Sequence, residues 1–183
     1  MRIVAGEMRG RTITPPSNFS ARPTTDFAKE NLFNILANRY DFGEVTFLDL
    51  FSGTGSISYE AASRGAQRVV SVELNAQHMS FIKEMVHKLG LDGLVQCVGS
   101  NVLSYLQGKQ NECFDIIFAD PPYDMEGVEQ LPQMILAKNI LNKGGLLVVE
   151  HSKKYDFSSE SNFEQMRKYG SVHFSFFTPL VII

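Results

Sequence analysis

The feature that most limits what this chain can fold into is an alternation. Five short, β-prone and mostly apolar runs recur along it: VTFLDL (45–50), RVVSVE (68–73), VQCV (95–98), FDIIFA (114–119) and LLVVEH (146–151). The stretches between them carry helical spacing or helix punctuation. Strands that alternate with helices are covered on both faces, which implies a parallel, doubly wound sheet. The fold class is therefore α/β. Two more runs, 163–169 and 172–178, flank Gly170 and read as a closing antiparallel hairpin. The chain of 183 residues is the right size for one domain, 1–183, with 1–22 as an N-terminal hairpin extension.

In such a sheet, ligands bind outside the carboxyl ends of the strands. Acids at three of those ends, Asp49, Glu73 and Asp120, point to a site. The fourth run ends in Asp120-Pro121-Pro122-Tyr123. The prolines hold φ near −65° and lack an N–H, so the turn is stiff and its carbonyls are free to accept. Asp120 and the Pro121 carbonyl would take the two hydrogens of an exocyclic amine, and Tyr123 would stack on the base that carries it. Asp-Pro-Pro is also ordinary turn chemistry, so this tetrad alone does not decide the matter.

The first run leads into Asp49, then Phe51-Ser52-Gly53-Thr54-Gly55, and the second ends in Glu73-Leu74. Glycines at a strand end let a ligand approach the backbone. Glu73 follows Gly53 at about the 20-residue offset of a ribose-binding acid. Asp49 argues against a dinucleotide, because a carboxylate there repels a pyrophosphate, and so disfavours a nicotinamide oxidoreductase. It favours an adenosyl ligand with an amino-acid tail, that is, S-adenosylmethionine. Asp49, Phe51, Gly53, Gly55, Glu73 and Leu74 are the expected cofactor-binding set at this end. Asn101 and Val102, after the third run, are expected beside the adenine; Asn101 is equally suited to capping the helix that follows.

The net charge of −3 hides an asymmetry. Residues 1–40 carry six basic against three acidic side chains, and the remainder is net −6. Short β-prone arms, 2–6 and 11–14, around the turn 7–10 read as a hairpin, with Arg9 and Arg11 at its tip able to grip phosphates. Arg22 and Thr24 precede a helix with Ala28, Leu32, Ile35, Leu36 and Arg39 on one face. They are expected to close over the cofactor carboxylate, with Arg22 also facing RNA. Pro132 is expected to interrupt a helix over 128–141. Cys97 and Cys113 read as reduced core residues. No apolar run approaches the roughly 18 residues of a membrane span, the start MRIVAGEMRG lacks a secretory signal, and no metal-ligand spacing is present. His78, His87, His151 and His173 suggest no catalytic partner.

The stretches RIVAGEMRGRTI, ARPTTDFAKENLFNIL, LDLFSGTGSISYEAASRGA, FDIIFADPPY and RKYGSVHFSFF together resemble the bacterial 16S ribosomal RNA guanine-N2 methyltransferases, the small-subunit methyltransferase D family. The glycine turn and DPPY are common to many amino-methyltransferases; the hairpin and RPTTD are the family-specific parts. The resemblance implies a class I methyltransferase sheet, Rossmann-like and seven-stranded with its last strand antiparallel. It also implies S-adenosylmethionine as cofactor, 16S rRNA or the small ribosomal subunit or its assembly intermediate as partner, and a cytoplasmic monomer. Asp120, Pro121 and Tyr123 would be catalytic, and Arg9, Arg11 and Arg22 would hold RNA. Asn101 stands where the family usually has an acid. DPPY alone also permits an adenine or cytosine amine or a protein glutamine as acceptor. From another class comes a non-catalytic rRNA-binding assembly factor, which the retained Asp49, Glu73 and tetrad argue against.

Overall fold

A computed structural model describes residues 1–19, 24–108 and 112–179. After an N-terminal segment come α1 (Asp26–Ala37), β1 (Thr46–Leu50), α2 (Ser56–Ser63), β2 (Arg68–Glu73) and α3 (Ala76–Lys88). Then follow β3 (Val95–Gly99), α4 (Val102–Gln107), β4 (Phe114–Ala119), α5 (Leu131–Leu136), β5 (Leu141–His151), β6 (Phe163–Tyr169) and β7 (Val172–Phe177). The seven strands form one sheet in the order β3-β2-β1-β4-β5-β7-β6. β1 to β5 pair in parallel, and β7 is antiparallel to both β5 and β6. The expected class I methyltransferase sheet is present.

The alternation of side chains along each strand divides the core in two. Phe47, Val69, Ile116, Phe118, Leu146, Val148, Phe174 and Phe176 face α1, α2 and α3. Leu48, Leu50, Val70, Val72, Ile117, Leu147 and Val149 face α4 and α5. Thr25 caps α1 by accepting from the Ala28 N–H, and Asn75 caps α3 by accepting from Gln77 and His78.

Four expectations need correction. Pro132 does not interrupt a helix; it lies in the first turn of α5, where a missing N–H costs nothing, and a 3₁₀ turn (Val128–Gln130) precedes it. β5 starts at Leu141, well before the expected Leu146, with Gly144 in the left-handed region. Cys113 is exposed and Cys97 half-buried, so neither is a core residue. The N-terminal arms make only one isolated bridge, Arg2 to Thr12, although Ile3 and Arg11, and Met1 and Ile13, are joined by backbone hydrogen bonds. The segment is held instead by α2. Glu60, fully buried, accepts from the Val4 and Ala5 N–H groups at 2.8 and 3.1 Å, and Ser63 Oγ accepts from Met8 at 3.0 Å. Gly6 sits so close that a Cβ there would lie 1.7 Å from the Ser63 carbonyl oxygen.

Candidate active site

The carboxyl ends of β1, β2, β4 and β5 form one edge, and the acids gather there. In register, Asp49 lies beside Phe118, and Ala119 beside both Leu50 and Val149. The next residues along β4 and β5, Asp120 and Glu150, are therefore lateral neighbours, about 4.8 Å apart at the backbone. Because the period is two, Asp49, Asp120 and Glu150 share the face that carries α1 and α2.

Asp49 is buried and accepts from Ser58 Oγ at 2.6 Å. Loss of water pushes its carboxyl up to about 7 against the pull of that hydrogen bond. Asp120 is half-buried, and its carboxyl is held well above the ordinary range by desolvation, then by Glu150 and Asp49 nearby. Glu150 is raised to about 7 by desolvation, opposed by a 2.7 Å hydrogen bond donated by Thr24 Oγ1. Among the described residues no group of three or more His, Cys, Asp or Glu side chains is placed to hold a metal ion, and no helix is long and apolar enough to cross a membrane.

The glycine turn lies against β2. Ser52 N–H donates to the Val72 carbonyl at 3.0 Å, and Gly53 N–H to Glu73 Oε2 at 2.8 Å. Phe51 adopts φ +61°, a conformation of some cost to a bulky side chain that the turn imposes. Gly55 caps α2 at φ +80°, with no room for a Cβ, which would meet the Tyr59 ring at 2.5 Å. Glu73 Oε1 accepts from Asn75 at 2.7 Å, so each oxygen is anchored once and keeps accepting capacity. Leu74 beside it is 65% exposed, an apolar surface with no protein covering it. Asn101 Oδ1 accepts from Leu103 and Ser104, so the capping role expected for it is real and that oxygen is already engaged. The donor set fits the cofactor inferred from the sequence: a buried acid for an ammonium, an anchored acid for ribose hydroxyls, and an apolar ledge for a flat base.

On the other side of Asp120 is a pocket of about 80 Å³. Pro121, Pro122, Tyr123, Val128, Glu150 and Lys154 are among its lining residues. Tyr123 is 79% exposed, a ring with an open face at the mouth. Asp120 stands between the glycine turn and this pocket, its N–H directed at the Leu50 carbonyl at 3.3 Å.

The chain matches the family profile described as conserved hypothetical protein 95 over residues 1–178. It is 31% identical over 170 residues to ribosomal RNA small subunit methyltransferase D of Haemophilus influenzae, covering 92% of this chain and 87% of that one. The chain belongs to the small-subunit rRNA methyltransferase D family. The Escherichia coli protein of that name is 32% identical over 151 residues, covering 82% of this chain and 74% of its own. A solved structure of a hypothetical protein from Thermus thermophilus superimposes with a TM-score of 0.85 at 32% identity, over 97% of this chain and 98% of that one.

Within this methyltransferase D fold the expected site residues are not all together. Asp49, Phe51, Gly53, Gly55, Glu73, Leu74, Asn101, Val102, Asp120, Pro121, Tyr123 and Thr24 lie along the carboxyl edge. Arg22 is outside the described residues. Arg9 and Arg11 are exposed, but the turn carrying Arg9 hangs beside Ser63, the last residue of α2. That end of α2 is on the order of 12 Å from the glycine turn. Of the histidines, His78 packs on Phe19 and lies 3.9 Å from Glu73, His87 meets Asp92, and His151 borders the pocket while meeting Ser175 Oγ. Sequence reasoning missed Glu150. The signal was present, an acid at the end of an apolar strand, the same one that marked Asp120 and Glu73.

Proposed function

We propose that this chain methylates the exocyclic N2 amine of a guanine in 16S ribosomal RNA, using S-adenosylmethionine. Methyl transfer to rRNA follows from membership of the family; the guanine N2 position is our reading. The observation that carries it is Asp120 beside Pro121 and Tyr123, set between the acidic glycine turn and an open pocket. Asp49 holds the ammonium end of the cofactor, Glu73 the ribose hydroxyls, and Leu74, Asn101 and Val102 border the adenine. Thr24 closes over the carboxylate end. When bound, the cofactor supplies an electrophilic methyl group.

The residues then position more than they activate. A guanine amine is a weak nucleophile because its lone pair is delocalised into the ring. Asp120 and the Pro121 carbonyl accept its two hydrogens and turn the lone pair out of the ring plane. Orientation of this kind supplies part of the roughly 7–11 kcal/mol available from fixing two reactants in line. The Asp120 carboxylate also stabilises the positive charge that grows on nitrogen. Tyr123 stacks on the base, which must leave its helix or loop to enter. Arg9 and Arg11 hold phosphates of an RNA long enough to reach them. A cytoplasmic site of action, on the small subunit or its assembly intermediate, accords with this substrate.

The test is methyl transfer from labelled cofactor to small-subunit RNA and particles from cells lacking the protein, with the product nucleoside identified by mass. N2-methylguanosine is expected, lost in Asp120→Ala while cofactor affinity stays within a few-fold. Methyladenosine or methylcytosine would overturn the substrate, and undiminished turnover in Asp120→Ala would overturn the mechanism.

A further inference from the structure

We infer that Glu150 is a positioning residue for the reaction, acting through Asp120: the two carboxyl groups form a pair that shares one proton, which Glu150 takes over when Asp120 accepts the substrate amine. This rests on the reading of Asp120 as the amine acceptor. The register of β4 and β5 sets the two side chains next to each other on one face of the sheet, and both line the same pocket. No cation is paired with either among the described residues. Two carboxylates so placed in a poorly hydrated site cannot both stay ionised, and a shared proton removes the repulsion. Thr24 Oγ1 donates to Glu150 Oε2 and favours the ionised form of Glu150, so in the empty site the shared proton rests on Asp120, and the other oxygen of Glu150 can receive it. Burial raises both carboxyls, and the charge of Glu150 raises Asp120 further, in the direction such a pair requires.

The groups that face the pair come from every element packed against it. Asp49 on β1 adds negative charge and strengthens the demand for a proton. Tyr123 from the loop after β4, and Lys154 and Tyr155 from the loop after β5, share the pocket. Lys154 Nζ lies over the Tyr155 ring, 5.3 Å from its centroid. The segment before α1 contributes the neutral Thr24 hydroxyl. His151, next along β5, turns to the opposite face and meets Ser175 Oγ at 2.8 Å.

The pair also disposes of the product proton. After the new C–N bond forms, the amine nitrogen carries two hydrogens and a positive charge. One of those protons passes to the ionised Asp120, so the pair holds two. One then leaves to water at the pocket mouth, beside Ser152 and Lys154, and the pair returns to a single shared proton. The charge on nitrogen is cancelled, and at no stage are both carboxyls ionised together.

The first test needs neither RNA nor cofactor. With ¹³C-labelled carboxyl groups, NMR titration of the ligand-free protein should show Asp120 and Glu150 titrating together above the ordinary carboxylate range. Glu150→Gln keeps an oxygen for Thr24 and the side-chain volume but removes the charge. It should lower the Asp120 midpoint by at least one pH unit. Thr24→Val, which removes the hydrogen bond and keeps the charge, should leave Asp120 high. In single-turnover methyl transfer the acid limb of the pH–rate profile should move down with Glu150→Gln by the same amount. An Asp120 midpoint unmoved by Glu150→Gln, or lowered equally by Thr24→Val, overturns the pair and leaves Glu150 a strut for Thr24. A wild-type protein that shows the paired titration but methylates no guanine would fail the substrate reading and leave the pair standing.

Discussion

Asp49 shows how one residue can trade stability against binding. Its carboxyl is raised from 3.8 to about 7 by burial. Between those values the folded state binds a proton that the unfolded state has lost. Stability from this group is therefore greatest below pH 4 and declines as pH rises to 7, by up to about 4 kcal/mol at about 1.4 kcal/mol per unit. A ligand ammonium would favour the ionised form and recover part of that cost. Asp49→Asn should raise the melting temperature at pH 8, raise it distinctly less at pH 5, and weaken binding of S-adenosylhomocysteine at both. Calorimetry across that range checks it; an unchanged melting temperature at pH 8 would mean the carboxylate is better solvated than its burial implies. Glu73 differs, since both its oxygens already accept backbone N–H groups. Glu73→Ala should loosen the glycine turn as well as the ribose contact, lowering stability and cofactor affinity together. Unaltered affinity, measured by titration calorimetry, would rule out the ribose role.

At the scale of elements, the decisive contact is the N-terminal segment on α2. Lys29 on α1 is 1% exposed, and its Nζ donates to the Arg2 carbonyl at 2.6 Å and to Ser56 Oγ at 3.0 Å, with Asp26 and Glu60 at 3.7 and 3.8 Å. Burial pulls its ammonium down, and Glu60 and Asp26 hold it up. One lysine thus ties α1, the N-terminal arm and the start of α2 together, directly behind the glycine turn. Met1 Sδ, 3.3 Å from Thr54 Oγ1, adds a second tie. Gly6→Ala places a methyl group inside the Ser63 carbonyl and forces φ +81° on alanine. It should cost about 2 kcal/mol or more and undock the arm. Hydrogen exchange should then show lost protection at Val4, Ala5 and Met8 with the β1–β5 amides unaffected. Retained protection at Met8 would mean the arm docks without Gly6.

The whole molecule has two ends with different tasks. The carboxyl edge of the sheet holds the acids, Leu74 and Tyr123; the turn with Arg9 lies toward the opposite end, beside Phe42 and Arg64. An RNA that enters the pocket and also reaches Arg9 must span on the order of 15 Å along the protein. Arg9→Glu with Arg11→Glu should weaken binding of a long small-subunit fragment and reduce its salt slope by about two phosphates. The same change should leave a short stem-loop, bound at the pocket alone, unaffected. Equal loss for both lengths would show that the arginines act through folding, and no loss for either would remove the hairpin from the RNA contact.

Local chemistry was enough to make the sheet, the glycine turn and the tetrad legible. Apolar runs of strand length, left-handed glycines and proline turns act within a few residues, so their meaning is written in consecutive positions. VTFLDL and FDIIFA read correctly as strands for that reason, and the acid at the end of LLVVEH, Glu150, lay open to the same rule as Asp120. Lys29 shows the limit. It lies on the buried side of α1 with Phe33 and Leu36, and no neighbour in sequence by itself explains a buried ammonium there. Only the docking of the N-terminal arm and α2 supplied the carbonyl, hydroxyl and carboxylates that let an ammonium stay buried. The docking of the hairpin was likewise not legible, because Val4, Ala5 and Met8 donate to Glu60 and Ser63, more than fifty residues away in sequence. The pairing of Asp120 with Glu150 depends on β4–β5 register, which is settled when the two strands pack and by neither strand alone.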